Sequence, residues 1–151
     1  MKKINLLFAI FLVFGLFQST NAQTTVSESD AAAIKQTALD YIEGWYEGNT
    51  ERMEQALHPD LAKRIVRTNS QGQSRLDHMG ALALVQGVKR GFGKQTPKDK
   101  QQKEVTILDV FGNSASVKIV ASDWIDYMHI AKFNGRWIIV NVLWELKPEK
   151  K

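Results

Sequence analysis

The chain has 151 residues, with 20 Lys and Arg against 16 Asp and Glu, and it has no cysteine. The length fits one domain, and the missing cysteines exclude both disulfide support and a lipid-modified lipoprotein. The basic residues are scattered, which gives no footprint for nucleic acid.

Residues 1–22 read as a cleavable signal peptide. Lys2 and Lys3 precede an apolar run from Ile4 to Phe17, and Thr20-Asn21-Ala22 places small residues where signal peptidase cuts. The run is shorter than the roughly 20 residues of a membrane-spanning helix. Cleavage after Ala22 leaves 129 residues with 18 basic against 16 acidic side chains, so the mature chain is nearly neutral. The expected location is periplasmic or secreted, with no membrane contact after cleavage.

Residues 23–27 are polar and expected to be disordered; a domain over 28–147 and a charged tail over 148–151 follow. Ser27 or Ser29 can cap a first helix, with Glu28 and Asp30 suited to its positive end. Ile34, Ala38, Tyr41 and Trp45 recur at helical spacing, and Gly48-Asn49 ends the helix. Thr50 is the expected cap of a short second helix, which Pro59 terminates. Residues 61–67 fit either a helical turn or a strand, and 69–74 form a polar loop. Asp77 is the expected cap of a third helix, placing His78 in its first turn, with Ala81, Leu84, Val85 and Val88 on the buried face. A polar linker over 94–103 leads to strands near Glu104–Phe111, Ala115–Asp123, Trp124–Ala131 and Arg136–Leu146. Gly112-Asn113 and Asn134-Gly135 are hairpin turns. Helices followed by an antiparallel meander make an α+β domain.

Strict alternation along Arg136–Leu146 puts Trp137, Ile139, Asn141 and Leu143 on one face and Ile138, Val140, Val142 and Trp144 on the other. Both are apolar, whereas a solvated antiparallel strand would alternate with polar residues. One face must cover the helices, and the other is expected to form a homodimer.

Tyr41-Ile42-Glu43-Gly44-Trp45, Gly48-Asn49, His58-Pro59-Asp60-Leu61, Asp126-Tyr127-Met128-His129 and Phe133-Asn134-Gly135-Arg136-Trp137 carry a resemblance. Over residues 28–146 the chain resembles the nuclear transport factor 2-like superfamily, and within it small exported bacterial proteins described as "putative lumazine-binding". The resemblance implies a strongly curved antiparallel sheet wrapped around N-terminal helices as a cone, a cystatin-like roll. It also implies a ligand in the cone. The fold serves many activities, so it does not fix one.

Tyr41 and Trp45 could stack on a planar ligand, or simply fill the core. His58 could sit at a pocket mouth as a base, or cap the second helix. Asp123, Tyr127 and His129 share one face of a regular strand and are the candidate catalytic set, with Tyr127 as electrophile and His129 as base. Tyr127 and His129 are equally candidate ligand contacts. Trp124, Asp126 and Met128 share the opposite face. The stretch Leu61–Arg67 lacks the carboxylate base that ketosteroid-isomerase-like members of the superfamily carry there. Lys63, Arg64 and Arg67 could attract an anion or form a solvated basic strand.

His58, His78 and His129 lack metal-ligand spacing, and no phosphate loop or nucleophile elbow is present, so neither metal nor cofactor is expected. The function expected is a non-catalytic exported module holding a small hydrophobic or planar ligand. The alternatives are a cofactor-independent lyase or isomerase using His129, Tyr127 and Asp123, or a purely structural dimeric interaction domain.

Overall fold

The structure, a computed structural model, describes residues 26–148. The expected leader over 1–22, residues 23–25 and the last three residues of the tail lie outside the described residues. Among the described residues three α-helices, α1 (Glu28–Glu47), α2 (Thr50–Ala56) and α3 (Ala81–Lys89), combine with six strands. The strands are β1 (Leu57–Thr68), β2 (Ser74–Met79), β3 (Lys103–Phe111), β4 (Ser114–Ala121), β5 (Trp124–Phe133) and β6 (Arg136–Leu146). They form one curved, open sheet in the order β2-β1-β6-β5-β4-β3. Every neighbouring pair is antiparallel except β1 with β6, which is parallel. The α+β class and the helix-wrapping sheet are as the sequence implies; the parallel pair is an addition.

Local chemistry explains most boundaries. The Ser27 hydroxyl accepts the Asp30 N–H at 3.1 Å, and Gly48 closes α1 at a left-handed φ of 65°. Asn49, not Thr50, caps α2, its side chain accepting the Arg52 N–H at 3.1 Å. Pro59 does not end that helix, which stops at Ala56. Pro59 instead lies within β1, where the register with β6 jumps between Leu57↔Ile139 and Ala62↔Asn141. A residue with no N–H to give is tolerated in such an irregular stretch.

Asp77 and His78 also differ from expectation. Both belong to β2, where Asp77 pairs with Ile65 and His78 with Arg64. The Asp77 carboxylate is held by Arg75 at 3.0 Å and Arg67 at 3.4 Å, so it is not available to a helix end. Gly80 precedes α3 without any side-chain cap. The tight loop that makes this hairpin is built by Asn69, whose side-chain oxygen accepts the N–H groups of Gln71 and Gln73.

One insertion in β6 sets the faces of the sheet. His129 pairs with Asn141 but Ile130 pairs with Ile139, so Val140 is an extra residue. A side-chain period of two then reverses its phase. Trp137, Ile139, Val142 and Trp144 consequently share the inner face, of which the first three are buried. The sequence expectation that Val142 and Trp144 share a face with Ile138 and Val140, opposite Trp137 and Ile139, is thereby corrected. The outer face keeps Ile138, Asn141, Leu143 and Glu145.

Helix α1 fills the concavity. Ile34, Ala38, Tyr41 and Ile42 pack with Val117, Ile119, Met128, Ile130 and Ile139 in the core, each large aliphatic side chain contributing about 1.5–3 kcal/mol by burial. Asp30 pins the start of α1 to the sheet, accepting from Trp137 Nε1 at 2.8 Å and Lys132 Nζ at 2.7 Å. Tyr46 pins the end, its hydroxyl accepting the Ser122 N–H at 3.0 Å. No helix among the described residues is long and apolar enough to cross a membrane.

Gly93 marks the tightest approach. A Cβ there would lie 2.1 Å from the Trp45 carbonyl oxygen and 2.6 Å from its ring atom Cδ1. Gly93→Ala should therefore destabilise the domain by about 1–3 kcal/mol, the range for overpacking. Urea denaturation measures this directly; an unchanged midpoint would mean that the contact relaxes freely.

Candidate functional site

Two charged side chains are buried inside the apolar cone. Asp126 on β5 is 0% exposed and Lys63 on β1 is 5% exposed. Their strands explain the meeting: Lys63 pairs with Val142, Asp126 pairs with Trp144, and all four residues point inward. Lys63 Nζ donates to Asp126 Oδ1 at 2.5 Å and to the Tyr41 hydroxyl at 2.9 Å. Trp124 Nε1 donates to the other carboxylate oxygen at 2.7 Å. The ammonium also lies 4.7 Å from the centre of the Trp144 ring, within cation–π range. No buried side-chain polar atom among the described residues lacks a partner.

Burial draws the Lys63 amine below the ordinary lysine value, and the Asp126 charge opposes that pull. Burial first, then the same carboxylate charge, pushes the Tyr41 phenol well above its usual value, so it stays protonated. Two desolvated charges return little net stability compared with apolar residues of similar size. Perturbed, paired groups are found both at functional sites and in structural ion pairs, and this one lies beside two indole rings.

The aromatic walls beside the pair are Trp124 and Trp144, both half-buried, together with Trp45. Trp45 meets Trp124 edge-on, their ring centres 6.1 Å apart. The Trp45 ring packs against α3 near Gly87, where an added Cβ would meet it at an ordinary contact distance of 3.5 Å. At the rim, the Arg67 guanidinium lies 5.8 Å from the Trp144 ring centre.

The candidates named from sequence fall in several places. Tyr41 is at the centre of the buried cluster, and Trp45 is in its aromatic wall. His58 is apart from it, at the start of β1. Its Nδ1 accepts the Asp60 N–H at 3.1 Å and its ring lies 4.9 Å from that of Phe133. Tyr127 and His129 project from the outer face of β5, and both are exposed. His129 Nδ1 lies 3.3 Å from the Asn141 amide, whose oxygen accepts from Arg64 at 3.1 Å. Asp123 does not share their strand, because β4 ends at Ala121 and Asp123 is in the turn that follows. There it lines an open groove of about 870 Å³ with Asp99, Gln102, Leu146 and Lys147. The structure therefore does not bring Asp123 to Tyr127 and His129. Among the described residues, no three of His, Asp and Glu converge as a metal ion requires.

Asp126, Trp124 and Trp144 are not candidates in the sequence, and Lys63 is one only as an anion attractor, not as the partner of a buried acid. A usable signal existed. Asp126 alternates with Trp124 and Met128, and Lys63 with Leu61 and Ile65, so each is a lone charge on an apolar face. Opposite charges in that position need each other.

Removing one partner should expose the cost of the other. Asp126→Ala should lose about 3–5 kcal/mol of stability, as expected for an orphaned buried charge. The double variant Lys63→Met, Asp126→Leu should recover most of that loss in urea denaturation. A mild single variant would show that Lys63 escapes to solvent when unpaired.

Comparison with known proteins agrees with this architecture. Residues 29–145 match the profile of the family described as "Putative lumazine-binding". An NTF2-like protein of unknown function from Shewanella baltica is similar at TM-score 0.64 and 18% identity, over 83% of this chain and 99% of that one. One from Methylobacillus flagellatus, also NTF2-like and of unknown function, gives 0.62 and 20%, over 82% and 97%. A cystatin-like protein of unknown function from Nostoc punctiforme gives 0.58 and 14%, over 82% and 96%. No curated protein matches the chain. At these identities the solved structures speak for the fold alone, and the profile, spanning most of the domain, places the chain in the "Putative lumazine-binding" family with an NTF2-like fold.

Proposed function

We propose that the protein is an exported module that binds a small planar molecule at the aromatic end of its cone and does no chemistry on it. The buried Lys63–Asp126 pair beneath Trp124 and Trp144 carries this reading. Aromatic walls with a few fixed polar groups are the general make-up of small-molecule sites. The description of the family points the same way. The separation of Asp123 from Tyr127 and His129 favours binding over the lyase or isomerase alternative, since acid–base partners must reach one substrate.

Tryptophan fluorescence tests the reading. A panel of heterocycles that includes lumazine should contain at least one saturable quencher, and Trp144→Phe should weaken its binding about tenfold, roughly the loss of one good stacking contact. His129→Ala should leave that affinity unchanged. Silence across the panel, or dependence on His129 in place of Trp144, would contradict the assignment.

The export leader and a homodimer belong to the same proposal. Exposed Val66, Leu76, Tyr127 and Leu143 lie together on the outer face of the sheet, an apolar area of the kind that marks interfaces. This account uses Leu143 and Tyr127 where the strict alternation of the sequence would have used Val142. Native mass spectrometry of protein exported by a bacterial host should read a chain beginning at Gln23 and a mass of two subunits. Leu143→Asp should yield one subunit. A chain that keeps Met1, or a wild-type monomer at micromolar concentration, would refute the corresponding half.

A further inference from the structure

The geometry points to a negatively charged planar ligand, with its ring against Trp144 and its anionic group on Arg67; this rests on the binding reading above and names its ligand class. The argument begins with the alternation of β1. Leu61, Lys63 and Ile65 are buried on the inner face, and Arg67 is the next residue of that series, where the strand leaves the core. It is a half-exposed side chain on the concave side, beside the one wall ring that also touches Lys63.

One carboxylate engages it, through one nitrogen and at long range. Arg67 approaches Asp77 at 3.4 Å, whereas Arg75 binds the same carboxylate at 3.0 Å. Two guanidinium groups thus share one acid, and the rim retains an excess positive charge. The Arg67 contact to Asp77 is through Nε alone and, at 3.4 Å, is longer than an ordinary N–H···O bond, whereas a guanidinium has five N–H donors in a planar fork. The indole of Trp144 lies 5.8 Å from the guanidinium carbon, at the outer limit of a cation–π contact, and holds that charge beside the ring. The edge of such a fork matches a carboxylate or another planar oxyanion.

The floor adds selection. Lys63 and Asp126 neutralise one another, so the deep end offers no net charge to a ligand. A cation would meet the excess charge of the rim with no carboxylate to spare, since Asp77 and Asp126 are both engaged. A neutral ring could stack but would leave the Arg67 donors to water. The combination favours a flat ring bearing one anionic group at its edge.

Three naphthalene probes, carrying a negative, a neutral and a positive group at the same ring position, test the claim. Isothermal titration of 2-naphthoate, 2-naphthamide and 2-(aminomethyl)naphthalene should rank them in that order, the carboxylate about tenfold tighter than the amide, as for one charge-assisted contact. The naphthoate affinity should fall with added NaCl, and the amide affinity should not. Arg67→Gln should reduce naphthoate to the amide level and leave the amide unchanged, which also serves as its check on folding. Equal affinities of naphthoate and amide, or a naphthoate preference that survives Arg67→Gln, would overturn the inference while leaving a planar-ligand site intact. Failure of all three probes to bind would overturn both.

Discussion

The arrangement of this molecule depends on a single inserted residue. A β-strand assigns its side chains to two faces by strict alternation, so a regular β6 would have sent Val142 and Trp144 outward. Val140 interrupts the ladder with β5 and reverses the assignment for the remainder of the strand. Trp137 and Ile139 before the bulge, and Val142 and Trp144 after it, then line the same concave surface. The ring of Trp144 reaches Lys63 and Arg67 only because of that reversal.

The bulge also divides the concavity into two regimes. Toward the start of β6, Trp137 and Ile139 pack with α1 in a mainly apolar core, where buried Thr37 donates to the Trp137 carbonyl and the bonds from Trp137 and Lys132 to Asp30 close the end. Toward the end of β6, the core gives way to a buried ion pair under indole rings. This second regime contains groups whose desolvation offsets much of their mutual attraction, which is the reason to look there for function.

Much of the fold was legible because the physical signals were local. The stripe from Ile34 to Trp45, the left-handed Gly48 and the Asn134-Gly135 turn, at φ 48° and 81°, each state their conformation in a few residues. β2 was not legible. Its sequence, Ser74-Arg75-Leu76-Asp77-His78-Met79, is an edge strand exposed on both sides, so no burial pattern marks it. Asp77 before a helical stripe imitates a cap, and only the pairing with β1 reveals its use as a counter-ion. The bulge was equally silent, since Ile138-Ile139-Val140 reads as unbroken strand whichever way it faces. Alternation separates the two faces of β5 in the sequence, but only the buried pairing with Lys63 marks Asp126 as part of a charged cluster.

The central claim is that ligand enters at the Trp144 end of the cone. Two-dimensional ¹H–¹⁵N spectra of the indole N–H groups during a ligand titration test it most directly, because the four tryptophans sit in distinct environments. The account predicts that the Trp144 and Trp124 signals move together and saturably while Trp137, locked to Asp30 at the far end, stays still. Movement of Trp137 with Trp144 and Trp124 unaffected would contradict it.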